Sequence, residues 1–594
     1  MTQPPDQSAV STSGATRAAK RGGAVAPRHV LTVTLEDYYH VKAFNRLIHS
    51  GQWYRFENRL ERNTDRTLDL LDETRSKATF FVFGNLAESM PELVRKIVDR
   101  GHEVGSRGMY PRNIAQLTPE ELRVDLLRSK EAVEKASGQA VRGFRAGEIW
   151  NDPDDLWILD LIAEAGYQYD SSFCPWMRRA KDRPDLLLTH RRTVGDRDLW
   201  VLPISSFSML GWRLPLGGNF LRQFPRPLVR HELKRWASHL AVPLVTYFNV
   251  WEIDPDQPRI EAAPLLQRIR QYRNLDQMHG LLRETLSAYR FTSVADWLRV
   301  APEASVETIT ERAPALARVA TPVQLVLGED TPPRLPVTLV VPCFNEANGL
   351  AYLRNTLQSV EKRLGDRFDL RFVFVDDCST DSTFAGLTET FGSRGNCKIV
   401  RHEVNGGVAA AIMTGIKAAD TEIVCSIDAD CSYDPHELAG MIPLLTDDVD
   451  LVTASPYHPN GGVLNVAAWR LFLSRSLSGI YRHVLHNNLY TYTSCFRVYR
   501  RSAAIKIPIN ERGFLGVAEF IGRLDLSGSL IVEYPTTLEV RMLGRSKMKV
   551  IKTIMGQLGL LQKLIAVRLA GPPVPKPAPR RPIPSPVPTT RAHS

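Results

Sequence analysis

At 594 residues the chain exceeds what one hydrophobic core serves, so two or more domains are expected. A formal net charge of +10 points to anionic partners, yet no zinc-finger, helix-turn-helix or RNA-recognition pattern accompanies it, which excludes the common nucleic-acid modules. Seven cysteines without a Cys-x-x-Cys pair exclude a disulfide framework and a zinc ribbon, and no run of about 18 apolar residues marks a membrane span. A cytoplasmic setting is expected, with the inner face of the cell membrane as the anionic surface a basic chain would meet.

Residues 1–28 are rich in Ser, Ala, Gly, Thr and Arg and lack the apolar core of a secretory signal, so they read as a disordered arm. From 29 to 300, short apolar strands such as Val30-Leu31-Thr32-Val33 and Ala78 to Phe83 alternate with helical stretches such as Pro91 to Arg100. This alternation predicts an α/β, barrel-like domain. Glu36-Asp37 follows the first strand, and Gly101-His102-Glu103, Gly143-Phe144-Arg145-Ala146, Asp170-Ser171-Ser172, Leu202-Pro203-Ile204 and Tyr247 to Glu252 come after it. In these motifs the first half resembles the NodB-like polysaccharide deacetylases.

That resemblance implies a distorted β/α barrel in which one Asp and two His hold a divalent metal, an Asp acts as base and a His as acid. Position by position, the chain departs from it. Asp37 stands at the metal Asp, Glu36 where the base belongs, Arg107 and Pro111 at the two histidines, and Asn249 where the catalytic His is expected; Arg145 completes the degenerate set. A guanidinium does not ligate a cation, proline offers no donor atom, and an amide does not shuttle protons at neutral pH. The domain is therefore expected to keep the fold without zinc and without hydrolysis, with Arg107 neutralising Asp37. His40, His49, His102 and His190 are the residues from which a replacement site would be built. Two other readings stay open: a second enzyme activity that deacetylates a polysaccharide, and a non-catalytic glycan-binding scaffold.

Residues 301–335 repeat Pro, Glu, Ala and Thr without an evident strand and read as a linker. In the region 336–547, the apolar run Val337 to Val341 enters Pro342-Cys343-Phe344-Asn345-Glu346, and Arg371 to Val375 enters Asp376-Asp377-Cys378-Ser379-Thr380-Asp381. Asn405-Gly406-Gly407 and an Ala-rich helix from Ala409 to Ala419 follow. The run Ile423 to Ile427 then closes on Asp428-Ala429-Asp430. Either acidic pair alone reads equally well as a helix cap. Together, at the carboxyl ends of strands, they face one crevice and offer hard oxygen donors to a cation.

With Glu519 and Arg541-Met542-Leu543-Gly544-Arg545-Ser546-Lys547 in the same order, the second half resembles the family 2 glycosyltransferases, most closely the dolichol-phosphate mannose synthase-like branch. The resemblance implies a GT-A (Rossmann-like) nucleotide-sugar fold with Mg²⁺ or Mn²⁺ at Asp430. Asp428, Asp430 and Glu519 are then catalytic, and Pro342, Glu346, Asp376, Asp377, Arg497, Arg541, Arg545 and Lys547 bind substrate. A departure is Cys495 in Tyr492-Thr493-Ser494-Cys495-Phe496-Arg497, where relatives often carry Gly.

Met548 to 570 reads as a basic amphipathic helix, with Ile551, Ile554, Met555, Leu558, Leu561 and Ile565 on one side and Lys549, Lys552 and Lys563 on the other. Such a helix packs on the domain or makes peripheral membrane contact. Residues 571–594 are Pro-rich and read as a disordered tail. The expected activity is transfer of a sugar from a nucleotide sugar to a polyprenyl phosphate or glycan acceptor.

Overall fold

The computed structural model describes residues 29–147, 156–174, 187–209, 212–239, 242–300, 308–311, 334–464, 468–544 and 550–570. The arm, the tail, Arg545 and Lys547 lie outside them. Contacts divide the chain into two units. One takes Met1–Thr34, Thr67–Phe248 and His279–Ala313; the other takes Leu35–Arg66, Asn249–Met278 and Pro314–Ser594.

The first unit is built on a ten-stranded sheet. Its order is Val245–Asn249, His29–Thr34, Thr79–Val82, Glu103–Ser106, Gly143–Phe144, Tyr169–Asp170, Arg197–Val201, His190–Val194 and Thr308–Glu311, with Phe291–Thr292 paired beside His29–Thr34. From His29–Thr34 to Arg197–Val201 the pairing is parallel throughout. The strands His29–Thr34 and Thr79–Val82 are buried at every position, as strands covered on both faces must be. The Thr308–Glu311 strand arises inside the stretch expected to be a linker and pairs in parallel with His190–Val194. Its Thr-Ile-Thr core has β-branched character that the surrounding Pro and Ala masked in the sequence.

The second unit holds a seven-stranded sheet in the order Cys397–Arg401, Phe368–Asp376, Leu335–Cys343, Ile423–Ser426, Arg497–Arg500, Leu451–Ser455, Ile531–Pro535. The first four are mutually parallel, and Arg497–Arg500 alone runs antiparallel to its neighbours. Pro342 falls where the neighbouring strand Ile423–Ser426 has already ended, so its missing N–H costs the ladder nothing there. The helix Val408–Ala418 lies so close to the sheet that a Cβ on Gly415 would come within 2.2 Å of Val340. Small residues on this helix are thus a packing requirement.

The C-terminal helix Val550–Ala570 buries Gln557, Leu560, Leu561 and Leu564, against Gly522 of the helix Gly513–Leu526 among others. Met555, Leu558 and Ile565, expected on the apolar side, are exposed, as is Leu569, while Leu561 of that side is buried; the side chains of Ile551 and Ile554 lie outside the described residues. A helix apolar around most of its circumference leaves its period unable to choose the face. Among the described residues, no helix is long and apolar enough to cross a membrane.

Candidate active site

Parallel strands share one carboxyl edge, and in the second unit the loops that leave it carry Glu346, Asp377, Asn405 to Gly407 and the Asp428 to Asp430 turn. Ser426 pairs with Arg497 in the antiparallel strand, so the Tyr492 to Phe496 loop enters from that edge too. Three non-glycine residues there adopt the left-handed region: Asn345 (φ 52°), Cys378 (φ 59°) and Cys431 (φ 50°). Each follows one of three adjacent strand ends, and such conformations persist only where the surroundings impose them. Asn345 shows how: its backbone N–H donates to Ser379 Oγ (2.9 Å), while its side-chain oxygen accepts from the Thr380 N–H (2.7 Å).

At the centre of this edge, Arg541 donates to Glu346 and lies 3.6 Å from Asp430 Oδ2. Asp430 Oδ1 accepts from the Ser432 N–H (3.0 Å) and hydroxyl (2.6 Å), which leaves Oδ2 toward the guanidinium. Burial, and then the negative charge of Asp430, push the Asp428 carboxyl up to about 7; Glu346 adds to the effect and Arg541 opposes it. Three carboxylates thus crowd around one guanidinium. This is a donor set of hard oxygens whose mutual repulsion a divalent cation would relieve. Among the described residues no group of three or more His, Cys, Asp or Glu is arranged to hold a metal ion by itself.

Several residues expected at the site are engaged by the chain itself. Both oxygens of Asp377 are engaged, by the Gly406 N–H (2.8 Å), the Gly407 N–H (2.7 Å) and His402 Nδ1 (2.8 Å), so it fastens the glycine turn. Asp376 is fully buried, its carboxylate 3.2 Å from Arg401. Arg497 is also buried and donates to the carbonyls of Val517 (3.1 Å) and Tyr492 (2.9 Å). Glu519 accepts from the N–H groups of Asn510 (2.8 Å) and Glu511 (2.7 Å) on one oxygen and from Arg523 Nε (2.8 Å) on the other. Only 2 % exposed, it ties a loop to its helix, with both oxygens engaged by donors of the chain itself. Cys495 does not appear among the residues with positive φ, so the missing glycine imposes no backbone strain. Pro342 is half-buried at the strand end.

The residues expected to form a degenerate deacetylase site are divided between the units. In the second, Asp37 is 1 % exposed and accepts from the Tyr38 N–H (2.8 Å) and the Arg59 N–H (2.6 Å). Burial, with a further push from Asp254, raises its carboxyl to about 7. Glu36 accepts a long bond from Trp251 Nε1 (3.4 Å). Asn249 caps the turn Val250–Ile253, its N–H and side-chain amide both 3.0 Å from Glu252 Oε2.

In the first unit, Arg107 donates to the Gly147 carbonyl (3.1 Å) and stacks 4.5 Å over the Phe83 ring. Arg59 contributes positive charge beside Asp37. Arg145 bridges the Ser171 carbonyl (2.9 Å) and the Thr32 hydroxyl (2.8 Å), while Pro111 lies half-buried. His40 accepts from the Asp37 N–H (3.1 Å) and His102 from the Ala78 N–H (3.3 Å), and among the described residues no histidine joins a metal-holding cluster.

Three family profiles match the chain. Residues 338–507 match Glycosyl transferase family 2, residues 50–169 match Polysaccharide deacetylase, and residues 171–299 match a domain of unknown function, DUF3473. The Dolichol-phosphate mannosyltransferase of Pyrococcus furiosus is 26% identical over 215 residues, 36% of this chain and 59% of that protein. The Polyprenol monophosphomannose synthase of Mycolicibacterium smegmatis is 26% identical over 217 residues, 35% of this chain and 80% of that protein. The Chitooligosaccharide deacetylase of a Bradyrhizobium species is 35% identical over 101 residues, 17% of this chain and 43% of that protein. A solved structure from Mycobacterium smegmatis, assigned as a polysaccharide deacetylase, shares 19% identity with a TM-score of 0.35, covering 51% of this chain and 99% of its own.

Proposed function

We propose that this chain, a polysaccharide deacetylase-type domain followed by a family 2 glycosyltransferase domain of the GT-A class, moves a sugar from a nucleoside diphosphate donor to a polyprenyl phosphate, with inversion at the anomeric carbon. The observation that carries this reading is the convergence of Glu346, Asp428 and Asp430 on Arg541 at one strand edge. Asp430 and Asp428 would hold Mg²⁺ or Mn²⁺, which supplies Lewis-acid stabilisation to a departing diphosphate. Arg541, already among the acids, is placed to pair with the negative charge that develops on the departing diphosphate.

Acceptor chemistry follows from Glu519. A sugar hydroxyl needs a base in the transition state, and the sequence candidate for that base is committed to Arg523 and two backbone N–H groups. A phosphate monoester, with its second pKa near about 6, is already ionised and attacks without one. Two of the relatives bear names that specify dolichol-phosphate or polyprenol products, which agrees with that choice. The exposed stripe Met555, Leu558, Ile565 and Leu569 supports peripheral contact with the membrane that holds such an acceptor.

The first half we read as non-hydrolytic, since Arg107, Pro111 and Asn249 replace the proton- and metal-handling groups and are engaged in packing and capping. The decisive test is a thermal-shift panel of nucleotide sugars with and without Mn²⁺. A donor at about 100 times its dissociation constant should stabilise by roughly 2.7 kcal/mol. The absence of any shift across the UDP, GDP and other donors would refute the reading. Stoichiometric zinc with acetate release from an N-acetylated glycan would refute the reading of the first half.

A further inference from the structure

The segments Leu35–Arg66 and Asn249–Met278, which belong by sequence to the first half, group with the second unit. Their contacts there fall on the shoulders of the acidic site. The short helix Ser50–Arg55 lies within the stretch that matches the deacetylase profile. Its last residue, Arg55, is only 2 % exposed and reaches Asp434 Oδ2 at 2.8 Å. Asp434 ends the turn that begins at Asp430, and its other oxygen caps the following turn through the His436 N–H (3.1 Å) and His436 Nδ1 (2.8 Å). Between the two acids sit Cys431, held at positive φ, and Ser432, whose carbonyl accepts from the Glu539 N–H (2.9 Å).

Glu539 is the second grip. Gln52, from the same short helix, donates to both its oxygens, at 3.0 and 2.9 Å. Two residues further along lies Arg541, and immediately beyond it the Met542 carbonyl accepts from the Glu261 N–H (3.0 Å) while Ile260 bridges to Leu543. The chain behind the site is fixed from the same side. The Asn355 side chain donates to the Phe56 carbonyl (3.0 Å), and Phe56 meets Tyr352 edge-on at 5.2 Å, both on the helix Leu350–Leu364 that follows Glu346.

We infer that the helix Ser50–Arg55 is a positioning element of the transferase site: through Arg55 and Gln52 it fixes the two segments that carry Asp430 and Arg541. Arg55 is buried with Asp434 as its ionic partner and the hydroxyls of Tyr54 (3.1 Å) and Tyr352 (3.5 Å) beside it, and it is held in this geometry because leaving Asp434 would strand its charge. Displacements of about 1 Å at a reacting centre cost up to 10²-fold in rate, so such a clamp has catalytic consequences without touching substrate. On this account the deacetylase-type half is retained as part of the transferase, and the inference rests on the transferase reading above.

The test uses the full chain carrying Gln52→Ala, Arg55→Lys, or the charge-neutral pair Arg55→Met with Asp434→Asn, which avoids stranding a buried ion. Two readouts are taken: the Mn²⁺ and donor dependence of transfer, and amide hydrogen exchange of the 428–436 and 537–544 segments. Expected are at least about tenfold higher Mn²⁺ for half-maximal transfer in the double variant, a smaller rise for Gln52→Ala, and faster exchange in both segments with the rest of the second unit unchanged. Wild-type metal dependence together with wild-type exchange in folded variants would overturn the inference. If the wild-type chain transfers no sugar, the transferase reading fails, and exchange alone then decides whether the helix holds the acidic turn.

Discussion

Two buried aspartates in this molecule are raised to about 7, and they lead opposite lives. Asp428 owes its shift to burial and to Asp430, a second acid in the same turn, with Glu346 and the Arg541 guanidinium beside it. Asp37 also owes its shift first to burial, but each of its oxygens already accepts a backbone N–H, from Tyr38 and Arg59. The first arrangement has unmet demand for positive charge, and the second has had its demand met by the fold. Asp37 thereby anchors the chain around it. The same raised pKa accompanies a cluster of acids at Asp428 and a pair of backbone donors at Asp37, so the partners of a group carry more functional information than its shift.

The comparison breaks first at the largest expected effect. Asp430→Ala removes a cation ligand and a partner of Arg541, and should lower sugar transfer at least about 10²-fold in an assay of lipid-linked product. Asn249→Ala, which opens the cap of the turn Val250–Ile253, should leave the transfer rate within about twofold, since loss of a cap acts on stability. Equal losses in both would erase the distinction between the sites.

Glu519 sharpens the contrast at intermediate size. Glu519→Gln keeps the shape but removes the charge that Arg523 pairs with, so it should destabilise by about 1–3 kcal/mol in denaturant unfolding. Its kcat should stay within a few-fold of wild type. A fall of several orders of magnitude without loss of stability would restore Glu519 as a base and with it a hydroxyl acceptor.

Much of this was legible in the sequence, and the remainder was not for identifiable reasons. Strand runs ending in Asp376-Asp377 and Asp428 to Asp430 placed the acids at one edge, because period-2 and fully apolar strands declare themselves locally. Which acid would be consumed by the fold was invisible: Asp377 and Asp428 follow similar runs, yet one fastens Gly406 and Gly407 while the other faces Asp430. Arg55 and Gln52 gave no signal at all. Their partners lie hundreds of residues away, and a lone Arg and Gln in a polar stretch match no motif. Arg59, whose N–H meets Asp37, likewise gave no signal, since an arginine in a charged stretch matches no motif.

The smallest expected effect tests the closed site itself. With its folded pKa near 7 against an ordinary 3.8, Asp37 keeps its proton in the native state over a pH range where the unfolded chain releases it. Where the native state binds more protons, stability falls as pH rises, so Asp37 contributes a decline between about pH 4 and 7 that levels off above its folded pKa. Asp37→Asn removes this titration, and its melting temperature should vary less between pH 5 and 7.5 than that of the wild type. Zinc should not restore the lost stability of the wild type at pH 7.5, because among the described residues no group of three or more His, Cys, Asp or Glu is arranged to hold a metal ion. A zinc-dependent rise that disappears in Asp37→Asn would show that the anchor still competes as a ligand, and the line drawn here between the two acidic sites would have to move.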